Sequence, residues 1–263
     1  MIVFPDIDFL HSLADAADLE TMAHFRTAMK AEAKGKVGDA FDPVTEADRA
    51  AEVAMREMIA ATFPDHAILG EEFGTSGDSC FTWVLDPIDG TRPFISGIAS
   101  WGTLIGFVEG ETARLGMVSQ PFTEERFWAS PTGAWRECRG ERFAMRTRQT
   151  VDIAEAVLHT TSPDYFDARS RPALDQLASA VRMTRYGGEC YAVAMLAAGF
   201  IDLNFEPELQ PHDVVALIPI VEQAGGVITT LTGGRAEKGG AVLASANPVL
   251  HEQALRILNG HQQ

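Results

Sequence analysis

Trp83-Val84-Leu85-Asp86-Pro87-Ile88-Asp89-Gly90-Thr91 joins an apolar run to two acids that flank Pro-Ile, and it closes on a turn dipeptide. The run reads as a buried strand, and a helix is expected to begin at about Thr91. Two carboxylates at the end of a buried strand repel each other unless a cation is present. Hard cations such as Mg²⁺ take oxygen ligands, usually one or two carboxylates with waters and substrate phosphate. Asp86 and Asp89, with the Ile88 carbonyl between them, are therefore expected to grip two ions. Glu71, at the end of the preceding apolar run, completes one site, and Asp213 in Pro211-His212-Asp213 completes the other. Gly90 lets the backbone come close to a ligand. The free N–H groups of a helix opening at Thr91 offer an anion site for phosphate, and Pro93 in its first turn is compatible with that. Two metals beside a phosphate site describe two-metal hydrolysis of a phosphate ester.

Around this stretch, strand-like runs at 67–69, 82–85, 102–108, 114–118 and 126–129 are separated by turn residues, which predicts a mostly antiparallel sheet. Ile7, Leu10, Leu13, Ala14 and Ala17 recur at helical spacing, so a helix is expected over about 6–30. A mobile loop over 31–42 follows, then a helix from after Thr45 to about Thr62, ended by Phe63-Pro64. Beyond about Thr150 strands (157–159, 201–205, 227–229, 241–244) alternate with helices (165–180, 191–198, 214–224, and one opened by Asn247-Pro248). The expected organisation is an α+β half over 1–147, holding most metal ligands and the phosphate site. An α/β half over 148–263 carries Asp213 and the residues that select the substrate.

The chain has 263 residues, 46% hydrophobic and 22% charged, with no fixed-period repeat or low-complexity segment. That excludes a disordered or fibrous chain, and the length is enough to bury roughly three quarters of the unfolded surface. Net charge is −16, which argues against nucleic acid or an anionic membrane as partner. Cys80, Cys138 and Cys190 are far apart with no C-x-x-C pair, so neither a disulfide framework nor a thiolate zinc site is expected. Five acids precede the first basic residue, Arg26, the reverse of a signal peptide, and the longest apolar run, 192–200, is too short to span a bilayer. A cytoplasmic protein is expected.

Each acidic position also has a plain structural reading. Thr45-Glu46-Ala47-Asp48 fits a capping box, Asp213 suits a helix N-terminus in any case, and Glu71-Glu72 suits a solvated loop edge. The motifs taken together say more. Asp-Pro-Val-Thr-Glu-Ala-Asp (42–48), Gly-Glu-Glu (70–72), Trp-Val-Leu-Asp-Pro-Ile-Asp-Gly-Thr (83–91), His-Asp-Val-Val-Ala (212–216) and Glu-Gln-Ala-Gly-Gly (222–226) resemble the inositol monophosphatase family, in its order and over most of the chain. The resemblance implies an alternating α-β-α-β-α layered sandwich, Mg²⁺ dependence with two or three ions, and commonly a homodimer. It implies Glu71, Asp86, Asp89, Asp213 and the Ile88 carbonyl as metal ligands, and the Gly90 and Thr91 amides as holders of phosphate. Thr91, oriented by Asp48, would position and help deprotonate the attacking water, with Glu71 also in the catalytic set. The family's usual Trp-Asp is here His212-Asp213, and His212 reads as packing beside a ligand.

Phe94-Ile95-Ser96-Gly97, Trp101-Gly102-Thr103-Leu104-Ile105-Gly106 and Gly187-Gly188-Glu189-Cys190-Tyr191 look more like the histidinol-phosphate phosphatase branch of that superfamily. The implied reaction converts L-histidinol phosphate to L-histidinol and phosphate. That substrate carries an ammonium group and an imidazole, whereas inositol phosphate carries neutral hydroxyls, and carboxylates at Glu189 and Glu206 complement a cation. Asp89 is expected at the leaving group as well. Alternatively, Glu189 caps a helix starting near Cys190. Asp202 is expected to face solvent. An inositol-1-monophosphatase, a broad sugar-phosphate phosphatase and an inactive binding or regulatory relative share these motifs, although all four metal carboxylates are present. The 31–42 loop is a candidate lid, with Lys34 and Lys36 read as solvated. No Lys or Arg lies between Arg56 and Arg92, or between Arg185 and Arg235, where seven and six acids fall. The negative excess thus sits where the cage and pocket should form, and bound Mg²⁺ would reverse its sign.

Overall fold

The computed structural model describes residues 4–27, 32–33 and 43–260. Along the chain come α1 (Ile7–His24), the short pair β1 (Glu32–Ala33) and β2 (Pro43–Val44), α2 (Glu46–Thr62), β3 (Ala67–Gly70), β4 (Gly74–Ser76), β5 (Phe81–Asp89), α3 (Thr91–Ile95), β6 (Gly102–Glu109), β7 (Thr112–Gln120), β8 (Glu125–Ser130), β9 (Gly133–Cys138) and β10 (Glu141–Ala144). Then follow β11 (Val157–Thr160), α4 (Arg171–Ala180), β12 (Met183–Tyr186), α5 (Glu189–Ala197), β13 (Leu203–Leu209), α6 (Pro211–Val214), α7 (Leu217–Gln223), β14 (Val227–Thr230), β15 (Gly240–Ser245) and α8 (Pro248–Asn259). An eight-stranded sheet runs β10-β9-β8-β7-β6-β5-β3-β4, antiparallel except for the parallel β3–β5 pair. A mixed five-stranded sheet runs β12-β11-β13-β15-β14.

Alternation along the central strands sets the layers. Trp83, Leu85, Ile105, Phe107 and Met117 pack with Leu10, Leu13, Ala51, Met55 and Ile59 of α1 and α2. Their neighbours Val84, Leu104, Val118 and Phe127 point the other way, onto Val193, Ala194, Leu196, Ile218 and Val221 of α5 and α7. Strand side chains alternate between faces, so a sheet covered on both sides reads as a continuous apolar run. Beyond α5 and α7 lies the second sheet, whose far face carries Leu158, Leu203, Phe205 and Leu243 against Leu174, Leu177, Leu250 and Ala254 of α4 and α8. The result is the α-β-α-β-α sandwich. The connection between the sheets is tied down: Thr147 N–H donates to Ala224 O at 3.0 Å, and Asn247 Nδ2 donates to Thr150 O at 2.7 Å.

Several elements differ from the sequence reading, each for a local reason. α1 stops at His24, where Phe25 takes extended angles and joins Phe94 and Trp101 in a small core cluster. The helix expected over 165–180 begins at Arg171, because Asp167 captures the Arg169 and Ser170 amides in a turn and Pro172 fits only the first helical turn. The helix expected over 214–224 is two helices, α6 and α7, and Pro219 has no N–H to return to Val215. Asp202 is fully buried rather than solvated, since β13 starts only after it. Its Oδ2 accepts from Arg148 Nη1 at 2.7 Å and from Val157 N at 2.9 Å. Strands β1, β2, β4, β9, β10 and β12 have no counterpart in the sequence reading. The candidate lid over 31–42, with Lys34 and Lys36, lies outside the described residues apart from the backbone of β1.

Two features of the large sheet place the acids. β5 pairs Asp86 with Leu104 but Asp89 with Gly102, so it holds one extra residue, a β-bulge at Pro87-Ile88. Residues three apart on a regular strand face opposite sides, and the bulge brings Asp86 and Asp89 to one side. It also absorbs a proline that has no N–H for the ladder. The second feature is a pair of glycines directly opposite each other, Gly106 on β6 and Gly116 on β7. A Cβ at Gly116 would lie 1.9 Å from the Ala216 carbonyl oxygen, and one at Gly106 would lie 2.7 Å from Val215 Cγ1. This flat spot seats the α6–α7 junction on the sheet, and Asp213 stands two residues ahead of Val215. Gly116→Ala should therefore cost at least ~1–3 kcal/mol and lower the unfolding temperature by several degrees in thermal melts. An unchanged melt would show that the junction does not rest on that glycine.

Candidate active site

Six carboxylates meet where β3, β5, α2 and α6 converge. One oxygen each from Asp48, Glu71 and Glu72 lie within 4.8 Å of one another, and so do those of Asp86, Asp89 and Asp213. A hydrogen bond between the Glu71 and Asp86 carboxyl groups links the two sets. Burial, then Glu71, Asp89 and Asp213, holds the Asp86 carboxyl well above the ordinary range. Asp89 is pushed the same way by burial, Asp213 and Glu189, against the opposing Cys190 N–H. Burial lifts Asp48 to about 7 despite two hydrogen bonds with Thr45. Asp48 Oδ1 and Asp86 Oδ1 are buried with no hydrogen-bond partner. An all-oxygen donor set with orphaned, proton-hungry carboxylates fits a hard divalent cation.

The structure places each expected residue. Asp48 closes the capping box read from sequence: its Oδ2 takes the Thr45 N–H at 2.9 Å and the Thr45 hydroxyl at 2.6 Å, and its own N–H donates to Thr45 Oγ1 at 3.2 Å. The Thr91 hydroxyl donates to the Ile88 carbonyl at 3.3 Å. Cap formation commits one Asp48 oxygen and leaves Oδ1 without a hydrogen-bond partner. Gly90 has φ of 89°, a left-handed angle that suits glycine, and its carbonyl opens α3 by accepting from Phe94 N at 3.0 Å. Asp213 Oδ2 accepts from Gln210 N at 2.6 Å, and its Oδ1 stands 3.6 Å from His212 Nε2.

All of these except Asp48 and Glu72 border one cavity of about 410 Å³, together with Glu189, Glu206, Glu208, Arg92, Thr161, Tyr165 and His212. Cys190 N, at the start of α5, donates to Asp89 Oδ2 at 2.6 Å. Glu189 is the first residue of α5, the cap position is Gly188, and no side chain makes a cap hydrogen bond there. Glu189 has a φ of +47°, a strained angle for a non-glycine residue, and its carboxylate turns to Thr161 and towards Arg92. Glu206 borders the same cavity but is already engaged. It accepts from Thr161 N at 2.8 Å, from the Thr160 and Thr161 hydroxyls at 3.2 Å, and from Asn204 Nδ2 at 3.4 Å. Burial and Glu189 push it up to about 8.

Sequence reasoning missed Glu72, Thr161, Arg92 and Tyr165. Glu72 stands beside Glu71 in the Gly-Glu-Glu motif, where paired acids also suit a solvated loop edge. Thr161, which serves both Glu189 and Glu206, carries no sequence signal. Arg92 hydrogen-bonds the Tyr165 hydroxyl and lies 5.0 Å from that ring's centre, joining α3 to the 163–165 turn across the cavity rim. Among the described residues no helix is long and apolar enough to cross a membrane.

A five-layer sandwich with clustered carboxylates beside a helix start defines a phosphomonoesterase scaffold. The model of the inositol monophosphatase family matches residues 5–263, and the chain belongs to that family. It is accordingly a phosphoric monoester hydrolase. The chain is 39% identical to the chloroplastic bifunctional phosphatase IMPL2 of Arabidopsis thaliana, over 95% of this chain and 74% of that one. It is 36% identical to the histidinol-phosphatase of Streptomyces coelicolor over 97% of each. A solved inositol monophosphatase from Zymomonas mobilis superposes with a TM-score of 0.85 at 37% identity, covering 97% of both chains.

The raised carboxylates fix the sign of a pH effect. A group such as Asp48, titrating higher folded than unfolded, stabilises the fold fully below about pH 4, and that contribution is lost as pH rises through about 7. Metal-free protein should lose stability over that window, and added Mg²⁺ should raise the unfolding temperature more at about pH 8 than at about pH 5.5. Melts in chelator and in Mg²⁺ measure this; an equal Mg²⁺ shift at both pH values contradicts it.

Proposed function

We propose that the chain is a Mg²⁺-dependent phosphatase that hydrolyses L-histidinol phosphate. The observation that carries the substrate is Glu189, held in a strained backbone so that its carboxylate faces the cavity bordered by Asp86, Asp89 and Asp213. A carboxylate there complements the ammonium group of histidinol phosphate and offers nothing comparable to a neutral polyol. Burial raises Glu189, while Thr161 and Arg92 oppose that rise and favour its charged form. Glu206, saturated by donors, serves mainly by fixing Thr161, with Asp89 beside the leaving group. The similarity to the S. coelicolor histidinol-phosphatase supports the same substrate.

In this reading Glu71, Asp86, Asp89, Asp213 and the Ile88 carbonyl hold two or three Mg²⁺ ions. Bound Mg²⁺ would neutralise the carboxylates, polarise the phosphate and acidify the attacking water. The amides of Gly90 and Thr91 hold a phosphate oxygen, and Thr91, oriented by Asp48, positions the attacking water and helps to remove its proton. The proposed enzyme works as a homodimer in the cytoplasm, the assembly implied by the resemblance and the compartment implied by the composition.

A second reading, inositol 1-phosphate as substrate, draws support from the Z. mobilis neighbour. Steady-state kinetics on both esters separate them. Histidinol phosphate should show the higher kcat/KM, and parity or an inositol preference overturns the assignment. Glu189→Gln should lower kcat/KM for histidinol phosphate by about tenfold or more and spare a neutral ester, equivalent to about 1.4 kcal/mol. Glu189→Gly should lose the same selectivity while melting no lower than the parent, because glycine accepts the positive φ.

A further inference from the structure

Glu52 is 0% exposed, one helical turn beyond Asp48 on α2, and belongs to neither acidic cluster. A buried carboxylate persists only where donors and a counter-charge compensate it. Glu52 accepts from Arg56 Nε at 2.6 Å, from Glu72 N at 2.7 Å and from Phe73 N at 3.3 Å. Arg56 in turn donates to Ser76 Oγ at 3.0 Å and to the Gly74 carbonyl. Both members of this ion pair are thus engaged with residues 72–76, the turn just after Glu71 and the strand β4 that follows it. Gly70 belongs to the same arrangement. A Cβ at that position would lie 1.9 Å from Glu52 Oε1, so glycine leaves the room in which the carboxylate sits.

We propose that Glu52 is a positioning residue for the acidic cluster formed by Asp48, Glu71 and Glu72, acting through the amides of Glu72 and Phe73. This rests on the reading of that cluster as part of a cation site. Like-charged Glu71 and Glu72 beside Asp48 would drive their turn towards solvent, and charge-assisted bonds from a buried carboxylate resist that. Asp48 and Glu52 lie four apart on one helix face, so α2 sets one cluster acid directly and the other two through the turn. Arg56 neutralises Glu52, so the restraint adds no net negative charge to a crowded site.

The test is Mn²⁺ titration of the metal-free protein by calorimetry. Glu52→Gln keeps the shape but has one acceptor oxygen where two were used, and its amide N–H₂ opposes a donor. Gly70→Ala displaces the Glu52 carboxylate by a separate route and covers the case in which Glu52→Gln does not fold. Each folded variant should bind at least one Mn²⁺ about 10- to 100-fold more weakly than the parent. A merely structural Glu52 would lower the melting temperature in chelator and leave Mn²⁺ affinity unchanged, and that result overturns the proposal. Failure of the parent itself to bind Mn²⁺ overturns the cation-site reading, and the inference built on it falls too.

Discussion

Mutual repulsion among six carboxylates is the constraint around which this protein is arranged. At the 4.8 Å limit of each cluster, two unit charges in a medium of effective dielectric about 20 repel by about 3 kcal/mol. Protons answer that repulsion in part, as the raised Asp48, Asp86 and Asp89 and the shared Glu71–Asp86 hydrogen bond show. A divalent cation would answer it better, and would turn an acidic cavity into one that attracts an anionic ester.

Holding such a set together requires rigid supports, and the fold supplies one for each arm. The Pro87-Ile88 bulge turns Asp86 and Asp89 to one side, and the facing glycines Gly106 and Gly116 let the α6–α7 junction lie on the sheet ahead of which Asp213 projects. The capping box fixes Asp48 at the start of α2, and Glu52 on the same helix grips the Glu72 and Phe73 amides. The start of α5 is tied to Asp89 through Cys190 N, and the neighbouring Glu189 accepts an unfavourable φ to face the cavity. Seven of the acids in the base-free stretches border that cavity: Glu71, Asp86, Asp89, Glu189, Glu206, Glu208 and Asp213. The charge asymmetry along the chain is therefore largely a property of the site.

Much of the fold was legible because burial on both faces leaves a strong mark. The run Trp83-Val84-Leu85 sends alternate side chains into two cores and reads as continuous apolar sequence. Helix starts at Thr45 and Asn247 were legible from their caps. Strands β10 and β12 were not, since they are almost wholly exposed and mix charged with apolar residues. Within the site, paired acids after an apolar strand were conspicuous. The bulge that makes Asp86 and Asp89 neighbours was not, because it is a register property of two strands. Thr161 and Glu52 were also illegible: each acts through contacts between distant segments, and neither sits in a distinctive local pattern.

Anomalous diffraction from crystals soaked in Mn²⁺ tests the cation-centred account most directly. It predicts one peak among Asp86, Asp89 and Asp213 and another beside Glu71, with both weakened when Asp86 is replaced by Asn. A map with no peak at either cluster, at Mn²⁺ concentrations that support phosphate release, would contradict it.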